Sequence, residues 1–173
     1  MAIIVTPTLD EVMTKVRAFL IAIVPAGTPV IRGPVNRAAQ PAVDHIIFTP
    51  IMRNRLRTNL HEDDSVTQET TIEEGAKVTV QFDFYGENAG DWSASAETLW
   101  RDEYACDILS PEAQPLYTDT ANMVPLVTGE DQFLERFVLT ATLQWNVRVT
   151  VTQQSANVLD YDLINVDVRF PPV

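Results

Sequence analysis

The sequence predicts an α+β fold: a mainly antiparallel, mixed β-sheet with two principal helices packed on one face. Three observations carry this. Residues 8–24 place apolar side chains at helical spacing. Residues 133–152 alternate apolar and polar side chains with a period of two. The order along the chain is helix, several strands, helix, two strands, which suits helices segregated to one side of an antiparallel sheet. At 173 residues, 46% of them hydrophobic, the chain is sized for a single domain, 1–173, with a real core.

The first helix, 8–24, begins at Thr8, with Glu11 three residues on forming a capping box. Leu9, Val12, Met13, Val16, Phe19, Leu20 and Ile23 give it one apolar face, and Pro25 with Gly27 stops it. A loop-like stretch, 25–43, holds four prolines and a short strand at Pro29 to Arg32. Residues 45–58 predict a long strand, and Pro50 inside it calls for an edge position or a bend. Residues 65–73 predict an exposed strand. Val78, Val80, Phe82 and Phe84 alternate with polar residues in the cleanest half-buried strand of the chain.

Asn88 or Asp91 can cap a second helix that runs to about Cys106. A long connection, 107–131, carries Pro111, Pro115 and Pro125, with a short strand expected at Met123–Val127. Loops of this length are uncommon unless they have a role, so a contact function is expected. The alternating run 133–152 has about 16 residues in strict register and would extend roughly 50 Å, well beyond an ordinary strand. It either bends across the whole sheet or projects past its own subunit. A last strand is expected from Leu159 to Phe170.

Composition excludes several classes. The net charge of -12 is wrong for a protein that wraps nucleic acid. The longest mainly apolar run, Val16 to Val30, holds Arg17, Pro25, Gly27 and Pro29, too broken to span a bilayer, and no basic region marks a secretory leader. One cysteine excludes an intrachain disulfide framework. The charge is also unevenly distributed. Residues 1–57 carry seven basic side chains against three acidic ones, net +4, and residues 58–173 carry five against 21, net −16. Such asymmetry suits head-to-tail contact between copies, unless folding mixes the two halves in space.

Catalytic patterns are weak. His45 lies in an apolar strand run and has no indicated partner for base catalysis. The run His61-Glu-Asp-Asp64 lacks calcium-loop spacing and is expected to be a solvated acidic turn. Cys106, beside Asp102, Glu103 and Asp107, is expected to be a packed small residue, its thiol disfavoured as a nucleophile by those carboxylates. No catalytic residue, metal ligand or cofactor is expected.

The arginines are more informative. Arg53, Arg55 and Arg57, at a spacing of two within a strand, should share one face. Three like charges in a row need acidic partners. Either acids of the same subunit, such as Glu62–Asp64, supply them, or the stripe docks onto another surface. The candidate subunit or partner contacts are Arg32, Arg37, Arg53, Arg55, Arg57, Trp145 and Arg148.

Several segments, taken in order, carry a resemblance: Val30-Ile-Arg-Gly-Pro-Val-Asn-Arg37; Phe48-Thr-Pro-Ile-Met-Arg-Asn-Arg-Leu-Arg-Thr-Asn59; Val78-Thr-Val-Gln-Phe-Asp83 followed by Gly86-Glu-Asn-Ala-Gly-Asp91; Leu99-Trp-Arg-Asp-Glu-Tyr-Ala-Cys-Asp107 followed by Pro115-Leu-Tyr117; and Leu163-Ile-Asn-Val-Asp-Val-Arg-Phe-Pro171. Together, over roughly residues 28–171, they resemble the neck or tail terminator proteins of contractile-tailed bacteriophages. The resemblance implies a structural virion protein with no catalytic residues, assembled in the bacterial host cytoplasm. It implies a homo-oligomeric ring, usually a hexamer, that caps the tail tube and ends its polymerisation. The implied partners are further copies of the chain, the tail tube and sheath, and the head connector. DNA would pass through the lumen without specific binding, and no membrane is involved. A tail-tube or baseplate component is the alternative within this class. A small cytoplasmic binding module or hydrolase is the alternative outside it, and should be monomeric or dimeric with a polar-lined pocket.

Overall fold

In the computed structural model, two strands of 17 residues each pair along their whole length and form the spine of an eight-stranded sheet. The structure describes residues 3–34, 41, 44–64, 66–127 and 133–152. In chain order the elements are β1 (Ile4–Thr6), α1 (Leu9–Ala22), β2 (Val30–Arg32), β3 (His45–Arg55), β4 (Leu60–Asp64), β5 (Glu69–Tyr85), α2 (Ala89–Trp100), α3 (Glu103–Leu109), β6 (Gln114–Thr118), β7 (Asn122–Met123), β8 (Leu126–Val127), β9 (Phe133–Leu134) and β10 (Arg136–Thr152). The α+β class holds. The expected strand at 159–170 lies outside the described residues.

The spine is β10 against β5, antiparallel from Arg136↔Tyr85 to Thr152↔Glu69. At about 3.3 Å per residue each strand covers roughly 55 Å. The free edge of β10 carries β7, β6 and β1 in succession, and that of β5 carries β3 and then β4. β2 adds a parallel strand outside β3, so the sheet is mixed. The stretches expected as separate strands at 65–73 and 78–85 are thus one strand. Glu73-Glu74-Gly75 breaks the apolar alternation but not the backbone ladder, because β10 pairs with every residue across it.

Alternation decides which face becomes core. Phe84, Phe82, Val80, Val78 and Ala76 of β5 stand opposite Phe137, Leu139, Ala141, Leu143 and Trp145 of β10. All three helices contribute to the core built on this face. Phe19 of α1 meets Trp100 of α2 edge-on, with ring centroids 5.2 Å apart, and Trp100 meets Phe82 at 5.5 Å. The buried indole N–H of Trp100 donates to the Thr142 carbonyl at 3.2 Å, which satisfies that polar atom inside the core. Ala105 and Leu109 bring α3 into the same core.

The helix ends follow local chemistry. Thr8 and Glu11 close the expected capping box, with Thr8 N donating to Glu11 Oε2 at 2.6 Å and Glu11 N to Thr8 Oγ1 at 3.2 Å. The expected single helix from 88 to about 106 is instead two. The first ends at Trp100, and the Asp102 side chain accepts from Tyr104 N at 3.2 Å to start the second. Cys106, expected to be packed, is exposed on α3. The expected acidic turn at His61–Asp64 is strand β4, exposed along its length.

Candidate subunit-interaction site

The site is built on one irregularity in β3. Up to Pro50, β3 and β5 keep a regular register, with Ile46↔Phe84, Phe48↔Phe82 and Pro50↔Val80. The next pair is Met52↔Thr79, so Ile51 is an extra residue, a β-bulge beside a proline that has no N–H to give the ladder. A one-residue insertion reverses which side chains point to which face. Arg53 therefore stands opposite Val78 and Arg55 opposite Ala76, on the helix-packed face. Without the bulge both would point to the other side.

Glu73 and Glu74 are neighbours on β5 and project to opposite faces. Glu74 lies on the helix-packed side and accepts from two arginines: Arg53 Nη2 at 2.9 Å from Oε1 and Arg55 Nη2 at 3.1 Å from Oε2. Glu73 lies on the other side. It accepts from Arg148 Nε at 2.8 Å on Oε2 and from Arg57 Nη2 on Oε1. The expectation that Arg53, Arg55 and Arg57 share one face is thus corrected. β3 ends at Arg55, Leu56 N donates to the Gly75 carbonyl at 2.9 Å, and Arg57 beyond that point falls on the Glu73 side. Gly75 makes room for it: a Cβ there would lie 2.9 Å from Arg57 Nε and 3.3 Å from its Cγ.

The balancing acids are of the same chain, but they are Glu73 and Glu74, not the Glu62–Asp64 run. Asp63 instead accepts from Thr70 Oγ1 at 2.6 Å, and Asp64 from Val66 N at 2.8 Å. The Arg148 hydrogen bond holds the Glu73 carboxyl below its ordinary range; partial burial opposes this, and the Arg148 and Arg57 charges reinforce it. The Arg55 hydrogen bond does the same for Glu74, against burial and with help from the Arg53 and Arg55 charges. Both glutamates are therefore ionised at neutral pH, and each is shared by two cations.

Trp145 joins the cluster from β10. The Arg53 guanidinium sits 4.9 Å from its ring centroid, within cation–π range, and the indole N–H donates to the Pro7 carbonyl at 3.0 Å. Of the seven candidates, Arg53, Arg55, Arg57, Trp145 and Arg148 come together. Arg32 does not: at the end of β2 it pairs with Asp10 of α1, Nη1 to Oδ1, at 2.6 Å. Arg37 lies outside the described residues. Glu73 and Glu74, which organise the cluster, were not among the candidates. The available signal was an acidic doublet inside a strand, flanked in the fold by an arginine trio.

Elsewhere the polar chemistry serves packing. His45 is buried and stacks on Tyr85, ring centroids 4.6 Å apart. Among the described residues no helix is long and apolar enough to cross a membrane, and no group of three or more His, Cys, Asp or Glu side chains is placed to hold a metal ion.

Comparison with known proteins fixes the lineage. The profile of a family described as phage neck terminator protein matches residues 10–169, nearly the whole chain. The chain belongs to this family. Among curated proteins none matches it. Among solved structures it is similar to the sheath/tube terminator of an extracellular contractile injection system, PVC, in the extended state, determined by cryo-electron microscopy. The TM-score is 0.59 at 10% sequence identity, over 95% of this chain and 66% of that one. At that identity the likeness speaks for a shared fold. This neck terminator chain spans just under two thirds of its structural neighbour's length.

Proposed function

We propose that this neck terminator forms a homo-oligomeric ring, six copies around, that caps the tail tube of a contractile-tailed phage. The ring ends tail polymerisation and joins the tail to the head connector, and DNA passes through its lumen. The observation that carries this reading is the family match over residues 10–169. The solved neighbour is itself named as a sheath/tube terminator, which supports tube and sheath as the tail-side partners.

Two features of the chain favour self-association. On each face of the sheet two arginines share one glutamate, Arg53 and Arg55 on Glu74 and Arg57 and Arg148 on Glu73, so each cluster keeps one surplus cation on a chain of net charge -12. Contacts between unlike surfaces close into rings when the rotation per copy permits. The short strands β6, with Pro115, and β7 lie along one edge of the spine, where an adjoining ring can reach them. Native mass spectrometry with negative-stain imaging of the purified chain tests the reading. A single closed ring supports it. Long self-assembled tubes indicate a tail-tube component instead, and a monomer at every concentration removes the ring.

A further inference from the structure

An apolar hollow opens beside the arginine cluster, between the first turn of α1 and the bulge of β3. Leu9, Pro50, Ile51, Val78 and Trp145 line it, with Arg53 in its wall. Ile51 is 53% exposed there, although β-bulge neighbours and proline give the backbone little freedom to turn it inward. Trp145, 5% exposed with its N–H given to the Pro7 carbonyl, forms part of the floor of the hollow.

Charge stoichiometry sets this region apart. Every other ion pair among the described residues joins one cation to one carboxylate, whereas here two arginines share Glu74 and two share Glu73. The side chains of Arg53 and Arg55 remain 44% and 56% exposed. An apolar hollow with Trp145 in its floor, Arg53 in its wall and Arg55 sharing the Glu74 carboxylate with Arg53 fits an apolar or aromatic side chain flanked by carboxylates.

The chain carries such a segment. On α3, Tyr104 is 40% exposed although its ring lies 6.4 Å from Phe19, and Asp102, Glu103 and Asp107 around it are exposed. None of these three carboxylates is in an ion pair among the described residues. We infer that Tyr104 of one copy seats in the hollow beside Trp145 of the next, with its flanking carboxylates meeting Arg53 and Arg55. The inference rests on the ring reading above and names the surfaces that meet in it. Hollow and plug are separated along α1, one at Leu9 and the other at Phe19, about 15 Å apart at helical rise. They are different surfaces, so the contact is heterologous and repeats from copy to copy.

The single native cysteine supplies the test, because Cys106 lies on α3 within the proposed plug. Introduce Ile51→Cys, treat the assembled protein with a short bifunctional maleimide, and map the linked peptides. The expected result is a ladder of covalent multimers joined through positions 51 and 106, abolished by adding Cys106→Ser. Multimers without that link overturn the contact and leave the ring standing. A monomer at every concentration overturns both. Charge reversal gives a second readout that needs no cysteine. Arg53→Glu should weaken self-association by about tenfold, and adding Asp107→Arg should recover most of it. Equal loss in the single and double variants counts against the pairing.

Discussion

Arg136 donates from Nη2 to Asp83 Oδ1 at 2.7 Å, and from Nε to the same oxygen at 3.1 Å, across the β10–β5 spine. Asp83 is 5% exposed, and Gln81 also donates to it. The Arg136 guanidinium lies 5.7 Å from the ring centroid of Tyr85, on which His45 stacks. Burial, seconded by the Asp83 charge and opposed by Arg136, raises the Tyr85 phenol above its usual range. A buried carboxylate deprived of its cation is costly. Arg136→Met should therefore destabilise the fold by about 3 kcal/mol in urea unfolding. Arg136→Met with Asp83→Leu should recover most of that loss, since no charge then remains buried.

Glu73 ties β10 to the segment after β3 through Arg148 and Arg57. Its side chain is 13% exposed while those of the arginines are about half exposed, so solvent screens the pairs considerably. Glu73→Gln should cost about 1 kcal/mol, and the difference from wild type should shrink in high salt. A loss independent of salt would point to packing and not to charge.

The same carboxylates set an acid limit. Glu73 and Glu74 titrate below the ordinary 4.5 in the folded chain. Their stabilising contribution is therefore present above that value and fades as pH falls through the lowered folded values. Urea midpoints of wild type and of Glu73→Gln/Glu74→Gln should differ at neutral pH and converge as pH falls through the lowered folded values. A gap that persists in acid would contradict the ion-pair account.

Ile51 is the bulged residue of β3 and lines the hollow beside Trp145. Deleting it removes the bulge, leaves Arg53 opposite Val78 and Arg55 opposite Ala76, and takes away an exposed apolar side chain of the hollow beside Trp145. The far-ultraviolet circular dichroism should be kept, tryptophan fluorescence should change, and self-association should be lost. Association at wild-type strength would show that the Trp145 side of the sheet is not the contact.

Much of the fold is legible where one residue pattern has one meaning. Thr8 with Glu11 marked the start of α1 because both side chains must reach orphan amides at that spacing. The alternation through 136–152 marked β10 because one face is buried against helices and the other is polar. Legibility failed where pairing partners decide. Glu73-Glu74-Gly75 looked like the end of a strand, yet β10 carries the ladder through it. Asp102 falls inside the stretch that predicts one helix, because the apolar spacing of Trp100 and Tyr104 survives a break of two residues. The arginine stripe is legible as a cluster, but its division between two faces depends on β3 ending at Arg55, before Arg57, which alternation alone does not reveal.

Ending a tail tube is the role proposed for this chain. Electron microscopy of tubes assembled from the cognate tube protein, with and without the purified chain, tests it most directly. The account predicts a single ring of extra density at one end of each tube, and shorter tubes as more of the chain is added. Tubes of unchanged length with bare ends, or the chain incorporated along the tube, would contradict it.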